Sequence, residues 1–488
     1  MSHRCLADFL EELGHAGELA RVETEVQAEL EVAEITGRMA HNGGPALLFG
    51  AVAGHEMPLL TNLLGSETRI CRALGVASLD EMAGRIAALA NPTQPEGWFE
   101  KLKTAPHVAA LSELPPRRVK TAACQQVVRL GGDVDLGALP IVQSAPDEAG
   151  RTITAAALFA ADPDTHGQSA GRYDLQLQAP DRLVGCWADH DEPARLLAEY
   201  RRRGEKMPLA AVLGGDPAVL LAACSAVSEH VDRCALAGLL REKPLDVVSC
   251  RSVDLEVPAD AEIVIEGYVD PAEPAAEAGP LCASSGYYRS RRPAPVMHVT
   301  AITHRANPVY PAVIPGRPPH ESYQIERALS RVFLPLVKLA IPELIDYELP
   351  MFGAGRHWAS VSIRKTYAGQ ARRVVHAAWG LRQLVLAKWL VVVDEDVDVH
   401  DHRQVLAAIA NHVHPDRDVF TQQGPPDPTD LTTPQGALGQ KLAIDATAKL
   451  PGEHQGVPPR LAAMSRQIAH LVSERWEQYG LGPEPDTA

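Results

Sequence analysis

Residues 277–295, EAGPLCASSGYYRSRRPAP, have the form of a catalytic loop: a carboxylate, a Gly-Pro pair to fix the backbone, then Gly-Tyr-Tyr running into a strand. Between Glu277 and Arg289, however, the only ionisable side chains are Cys282, Tyr287 and Tyr288. Proton transfer needs a titratable group, most often an imidazole or carboxylate, within hydrogen-bond reach of the reacting atom, and Glu277 is the one carboxylate this loop offers. Two further groups suit the same chemistry. Asp174 lies in SAGRYDLQLQAPDR, ahead of a β-patterned run, and Cys186 follows in the segment GCW. Cys186 fits a small buried hydrophobe as well as a reactive thiol.

Other polar clusters have simpler readings. Asp394, Glu395, Asp396 and Asp398 follow a strand, where hard cations bind, but the pattern also suits an acidic turn and helix cap. GGDPA, with Asp216 and Pro217, offers backbone amides to a phosphate; a plain N-cap explains it equally. Asp189, His190 and Asp191 are adjacent and cannot all face one site, so they read as a helix N-terminal region. His320 and Glu321 in GRPPHE read as packing and hydrogen-bonding groups at a Pro-rich turn.

The elements that position these residues follow from periodicity. Leu6, Phe9, Leu10 and Leu13 fall at helical spacing, with Gly14 as the expected cap, and EVAEITGRMAHNGGPALLF repeats a helix, a turn and a strand. An α/β domain over 1–115 is expected, ending in the linker LSELPPRRVK. Short β runs between Pro, Gly and Asp turns follow over 116–322, with a helical insertion at EPARLLAEYRRRGEKM. They predict a closed or split β-barrel carrying helices outside. From 323 to 488 the α/β pattern returns, and Leu461, Met464, Ile468, Leu471, Val472 and Trp476 form a terminal stripe suited to docking on a neighbouring subunit or domain.

Composition narrows the partners. The 488 residues carry a net charge of −16, which disfavours binding to a phosphate backbone. The N-terminal stretch has no apolar run of signal-peptide length, and no later segment reaches the roughly 18 apolar residues of a membrane span. A cytoplasmic protein with reduced thiols is expected, since the eight cysteines show no CxxC or zinc-like pairing.

Several stretches, in order along nearly the whole chain, resemble the UbiD-like decarboxylases, which use prenylated FMN to add or remove CO2 on aromatic and α,β-unsaturated acids. They are GGPALLF, AEYRRRGEKMPLAAVLGGDPA, THRANPVYPAVIPGRPPHE, VSIRKTYAGQARRV, VVVDEDVDVHD and KLAIDATAKL. The resemblance implies an N-terminal α/β domain, a central split-barrel flavin domain and a C-terminal α/β domain that joins subunits into homodimers or hexamers. It also implies FMN or prenylated FMN as cofactor, with Thr154, Gln176, Trp187, Arg364 and Lys365 in segments that in relatives line the flavin or approach its phosphate.

Carried over position by position, the resemblance breaks at the chemistry. Anchored by Gln176, Pro180, Asp181 and Arg182, the register puts Ser169 where relatives hold a metal-binding Asn and Asp174 where they hold the catalytic Arg. Cys186 replaces the metal-binding His, and Arg233 falls where relatives hold the metal-binding Glu, so it is expected among the cofactor-binding residues, its cation standing in for the metal's charge near the phosphate. Ala278 and Ala283 replace the two catalytic glutamates, with Glu277 one residue early. A divalent metal is therefore not expected. Three readings remain: a decarboxylase or lyase with a rearranged site using Asp174, Glu277 or Cys186; a non-catalytic subunit paired with an active paralogue; and a flavin-independent enzyme reusing the cavity.

Overall fold

The computed structural model describes residues 3, 5–90, 115–165, 167–353, 356–434, 436–453, 462 and 464–482. Linker residues 111–114 and Leu461 of the terminal stripe lie outside them.

The first helix, Leu6–His15, buries Leu6, Phe9, Leu10 and Leu13 as the spacing requires. Gly14 lies inside this helix, and the left-handed residue after it is Gly17, at φ +72°. Glycine suits that position because it has no Cβ to clash there. A four-stranded sheet follows in the order Leu19–Val22, Ala46–Phe49, Leu59–Thr61 and Tyr310–Ala312. Its last strand arrives from the far end of the central region and pairs in parallel with Leu59–Thr61, tying the two regions together.

The central region is built on a nine-stranded sheet whose pairings are all antiparallel. Strand Met207–Leu213 shows why it has two cores. Leu209, Ala211 and Leu213 pack with Leu196, Leu197 and Tyr200 of helix Glu192–Arg203. Ala210 and Val212 pack on the opposite face with Leu221 and Ala222 of helix Pro217–Cys224. Side chains that alternate across a strand serve both faces, so the run is continuously apolar. The sheet begins at Thr152–Ile153 and ends at Gln168–Arg172. These edges curl toward each other until the Arg172 Nη1 donates to the Thr154 carbonyl at 2.8 Å. The result is a curled half-barrel with its split beside Arg172.

The C-terminal region carries a five-stranded sheet in the order Leu344–Glu348, Trp358–Ile363, Trp389–Asp394, Gly439–Asp445 and Val419–Gly424. Its acidic turn is held together by local bonds. Asp394 Oδ2 accepts the Ala448 N–H at 2.6 Å, Glu395 pairs with Arg364 at 2.8 Å, and Asp398 accepts the His400 N–H at 2.9 Å. His400 bridges Asp346 and Glu348, whose hydrogen bonds hold its imidazole up at about 10. The terminal helix Arg466–Glu474 leaves Ile468 and Leu471 exposed, and Met464, just ahead of its N-cap, is exposed too. No helix among the described residues is long and apolar enough to cross a membrane.

Candidate active site

The segment 276–294 folds as two stacked hairpins. Ala276–Ala278 pairs with Arg292–Ala294, and Leu281–Cys282 pairs with Tyr288–Arg289. Successive strand residues face opposite sides, so Ala278 packs inward against Cys186 and Leu281 while Glu277 turns out. Glu277 is 64% exposed and pairs with Arg291 at 2.9 Å. It does not replace the missing acids, because a one-residue offset in an extended segment reverses its face.

The hairpins are pinned from all sides. Gly279 adopts φ +84° and its N–H donates to the Gln176 Oε1 at 2.8 Å, while the Cys282 N–H donates to Glu148. His320 Nδ1 accepts the Tyr323 N–H, so its Nε2 carries the proton and donates to the Ser284 carbonyl at 2.8 Å. Burial keeps this imidazole neutral, pushing it down to about 4.

Held in this way, the inner hairpin presents Arg289 to Asp174 at 2.6 Å. Arg172 reaches the other oxygen of Asp174 at 3.8 Å. Burial would weaken the Arg289 cation, but the charge and hydrogen bond of Asp174, with smaller contributions from Cys186 and Asp427, together hold its pKa above the usual arginine value. These residues, with Thr154, Ala283 and Val313, form one wall of a cleft of about 150 Å³. The opposite wall brings Glu326 from helix Glu321–Val332 and Arg356, Asp427 and Thr429 from the C-terminal region. Arg356 Nε donates to Glu326 at 3.1 Å, and that carboxylate raises the Arg356 pKa. Three guanidiniums thus surround the cleft. The Arg289 Nε is buried without a hydrogen-bond partner. Guanidiniums offer fixed, planar donor pairs that match a carboxylate or phosphate.

Two cavities adjoin this cleft. One of about 320 Å³ lies across Cys282 and Pro315, between helix Glu31–His41 and the turn 314–321. A smaller one lies across Glu326 and Arg356 and reaches Cys224, Ala226 and Arg382. In the larger cavity Glu321 Oε1 accepts the Leu64 N–H at 2.7 Å while Oε2 has no partner. Burial pushes this carboxyl up to about 7 from an ordinary 4.5. The folded chain therefore binds the proton more tightly than the unfolded one. Its stability contribution is complete below about 4.5 and lost as pH rises through about 7. The gap corresponds to on the order of 3 kcal/mol. Glu321→Gln keeps an oxygen for Leu64 and is expected to abolish that fall, measured as urea midpoints at pH 5 and pH 8.

Of the site residues expected from sequence, Asp174 and Thr154 line the cleft. Thr154 Oγ1 accepts the Val313 N–H at 3.1 Å. Gln176 braces the hairpin from behind. Cys186 is sealed among Val184, Ala278, Leu281 and Ala294, and burial, followed by the Asp174 charge, pushes its thiol up to about 11. A thiol so placed is no proton donor at neutral pH. Trp187 packs edge-on to Tyr173, and its ring covers Gly185, where a Cβ would fall 2.0 Å away. Arg233 is buried at the start of helix Arg233–Arg241. Arg364 points to Glu395. Lys365 bonds to Glu453, Thr447 Oγ1 and the Ala448 carbonyl, so its three N–H groups are used within the C-terminal region and none is left for a phosphate. The sequence reading missed Arg172, Arg289, Arg356, Glu326 and Asp427. Arg172 stands two residues before Asp174 in the sequence, but the strand Gln168–Arg172 ends at Arg172 and Asp174 lies in the connection to Leu175–Ala179, so strand alternation does not mark the pair.

Residues 117–318 match the UbiD family, described as the 3-octaprenyl-4-hydroxybenzoate carboxy-lyase Rift-related domain. Residues 10–88 match the N-terminal domain of that carboxy-lyase and residues 324–446 its C-terminal domain. The chain belongs to the UbiD family. An uncharacterized protein of Aquifex aeolicus is 38% identical over 482 residues, covering 98% of this chain and 99% of that one. The UbiD-class enzyme HmfF of Pelotomaculum thermopropionicum, solved in complex with FMN, is 30% identical with a TM-score of 0.76, covering 96% of this chain and 99% of HmfF. The closed form of Sedimentibacter hydroxybenzoicus vanillic acid decarboxylase is 25% identical with a TM-score of 0.85, covering 98% of this chain and 99% of that one.

The UbiD fold implies a flavin and a metal on its phosphate, and this chain's residues fit the two unequally. A guest with anionic or carbonyl oxygens would satisfy the buried Arg289 Nε, and the cleft continues past Arg356 toward Arg382, so a flavin suits the donors present. A divalent metal does not. Ser169 is hydrogen-bonded to Glu192, Cys186 is a sealed thiol, and Arg233 is a cation. Among the described residues no three His, Cys, Asp or Glu side chains gather to hold a metal ion.

Proposed function

We propose that this UbiD-family chain adds or removes CO2 on an aromatic or unsaturated carboxylic acid, with Arg172 and Arg289 gripping the substrate carboxylate. The observation that carries the proposal is the arginine-lined cleft where the half-barrel, the pinned hairpin and the C-terminal region meet. FMN or its prenylated form, when bound, supplies the electron sink that decarboxylation needs. The chain's own residues do the rest. Arg172 and Arg289 orient the carboxylate, and Asp174, held between them, handles the proton that takes the place of CO2. Arg356 and Glu326 close the cleft from the opposite wall and limit water.

The test is CO2 release from a panel of aromatic and α,β-unsaturated acids by chain produced together with a prenyl-flavin synthase. Flavin-loaded chain that neither binds nor turns over any of them overturns the proposal.

The same reading makes the protein a homo-oligomer, with the exposed Met464, Ile468 and Leu471 docking on a second copy. Ile468→Asp is expected to shift its mass in light scattering toward that of a single chain.

A further inference from the structure

We infer that the cavity between helix Glu31–His41 and the turn 314–321 is a second binding site, made for a flat, uncharged aromatic molecule that carries an acceptor oxygen. The inference goes beyond the decarboxylase reading and does not depend on it.

The cavity, at about 320 Å³, has about twice the volume of the arginine-lined cleft. An apolar cavity of about 150 Å³ already admits benzene, so this one has room for two fused rings. One wall is the helix face of Ala33, Gly37 and Ala40, which are spaced four and three residues apart and therefore lie in line. The facing wall is Ile314, Pro315 and Pro319. Side chains so short on one side and proline rings on the other suit a planar guest.

Gly37 is the informative member of that face. It sits inside the helix, its φ is outside the left-handed region, and a Cβ there would have no heavy atom within 4 Å. Neither backbone conformation nor crowding calls for glycine, which weakens a helix interior relative to alanine. What the missing side chain leaves is room in the cavity.

Glu321 supplies the polar contact. It lines the cavity at 3% exposure, and its Oε1 accepts the Leu64 N–H at 2.7 Å. A proton on this carboxyl therefore sits on Oε2, which is buried with no partner. Burial favours that proton, pushing the group up to about 7. A buried O–H without an acceptor is costly, and a carbonyl oxygen on the guest removes the cost. Other polar groups on the walls are already bonded. Thr36 Oγ1 meets Thr61 Oγ1 at 2.8 Å, Asn62 Nδ2 donates to the Gly44 and Pro45 carbonyls, and His320 uses both ring nitrogens on Ser284 and Tyr323. Glu34, His41 and Arg317 are exposed at the rim. Recognition inside thus rests on one donor among apolar walls, which fits a neutral guest and disfavours a charged one.

The cavity and the cleft share a wall, since Cys282 and Pro315 line both. The Arg317 backbone N also lies 3.0 Å from where a Cβ on Gly286 would stand, in the turn of the inner hairpin. A guest would rest against the back of the hairpin that presents Arg289.

The experiment is equilibrium dialysis of the full chain at pH 6 against coumarin, a flat neutral lactone. Naphthalene is the counterpart without an acceptor, and 2-naphthoate the charged one. Coumarin should bind at least about tenfold more tightly than either, the effect of one hydrogen bond to a buried group. Gly37→Leu fills the space and should weaken coumarin at least about tenfold, with Gly37→Ala falling between. The urea midpoints of both should match or exceed that of wild type, because leucine and alanine favour a helix where glycine does not. Glu321→Gln keeps the Leu64 contact and a donor toward the cavity, and should bind coumarin about as tightly as wild type. No coumarin binding, binding that survives Gly37→Leu, or tighter binding of 2-naphthoate overturns the inference. None of these outcomes bears on CO2 release, so the decarboxylase reading stands or falls separately.

Discussion

Arg172→Ala is expected to lower kcat/KM for the carboxylic acid substrate by about 30- to 150-fold, with most of the change in KM. Arg172 stands at the split of the half-barrel, fixed by one bond to the Thr154 carbonyl and by its approach to Asp174. The rest of its guanidinium is free to face the cleft. A charge-assisted contact to a carboxylate contributes about 2 to 3 kcal/mol in a partly desolvated site, and each 1.4 kcal/mol is about tenfold. The cost to folding should be far smaller. The bond lost within the protein is one arginine-to-carbonyl contact at a partly exposed position, worth about 1 kcal/mol. Arg172→Lys separates the two roles, because lysine keeps the charge but not the paired donors. It should restore the urea midpoint while leaving KM raised. The measurement is steady-state kinetics on whichever acid the wild-type chain turns over. A KM unchanged in both variants would show that Arg172 only closes the barrel.

The two ends of the hairpin show what was legible in the sequence. The alanines at 278 and 283 and the absence of any acid between Glu277 and Arg289 could be seen directly, and strand alternation gives the direction of Glu277 once its strand is placed. Arg172 is close to Asp174 in sequence, but its approach to the carboxylate depends on the connection between strands Gln168–Arg172 and Leu175–Ala179, which strand alternation does not describe. Arg289 was visible only as the next charge along, since its return to Asp174 depends on a hairpin register that no local pattern sets. Arg356, Glu326 and Asp427 come from elements packed against the barrel after 150 or more intervening residues, and nothing in their own neighbourhood marks them. Helical stripes and apolar strands were legible for the opposite reason, because burial imposes a period on consecutive residues. Strand Tyr310–Ala312 illustrates the limit. Its apolar character was plain, but its partner is Leu59–Thr61, in a sheet begun by the first residues of the chain.

Asp174→Arg places at this position the residue that the family resemblance expects there, yet it is expected to destabilise the protein by about 2 to 4 kcal/mol. In this chain Arg172 and Arg289 both converge on Asp174, at 3.8 and 2.6 Å. Removing the carboxylate strands a largely buried Arg289, and adding a third guanidinium brings like charges together. Breaking a buried pair costs about 3 to 5 kcal/mol, and like charges near 4 Å cost up to about 4 kcal/mol at a protein-surface dielectric. Both figures are discounted here because Asp174 and Arg289 keep about a fifth of their side-chain surface in water. Asp174→Asn is the control: it keeps shape and hydrogen bonding, loses less stability, and removes the group proposed to handle the proton. The expected order of urea midpoints is wild type, Asp174→Asn, Asp174→Arg, and both variants should be inactive. Asp174→Ala combined with Arg289→Ala tests the coupling, since deleting both partners should cost less than the two single losses together. If Asp174→Arg were as stable as wild type and more active, position 174 would still be the place for a substrate-gripping arginine. The arginines at 172 and 289 would then have only structural work to do.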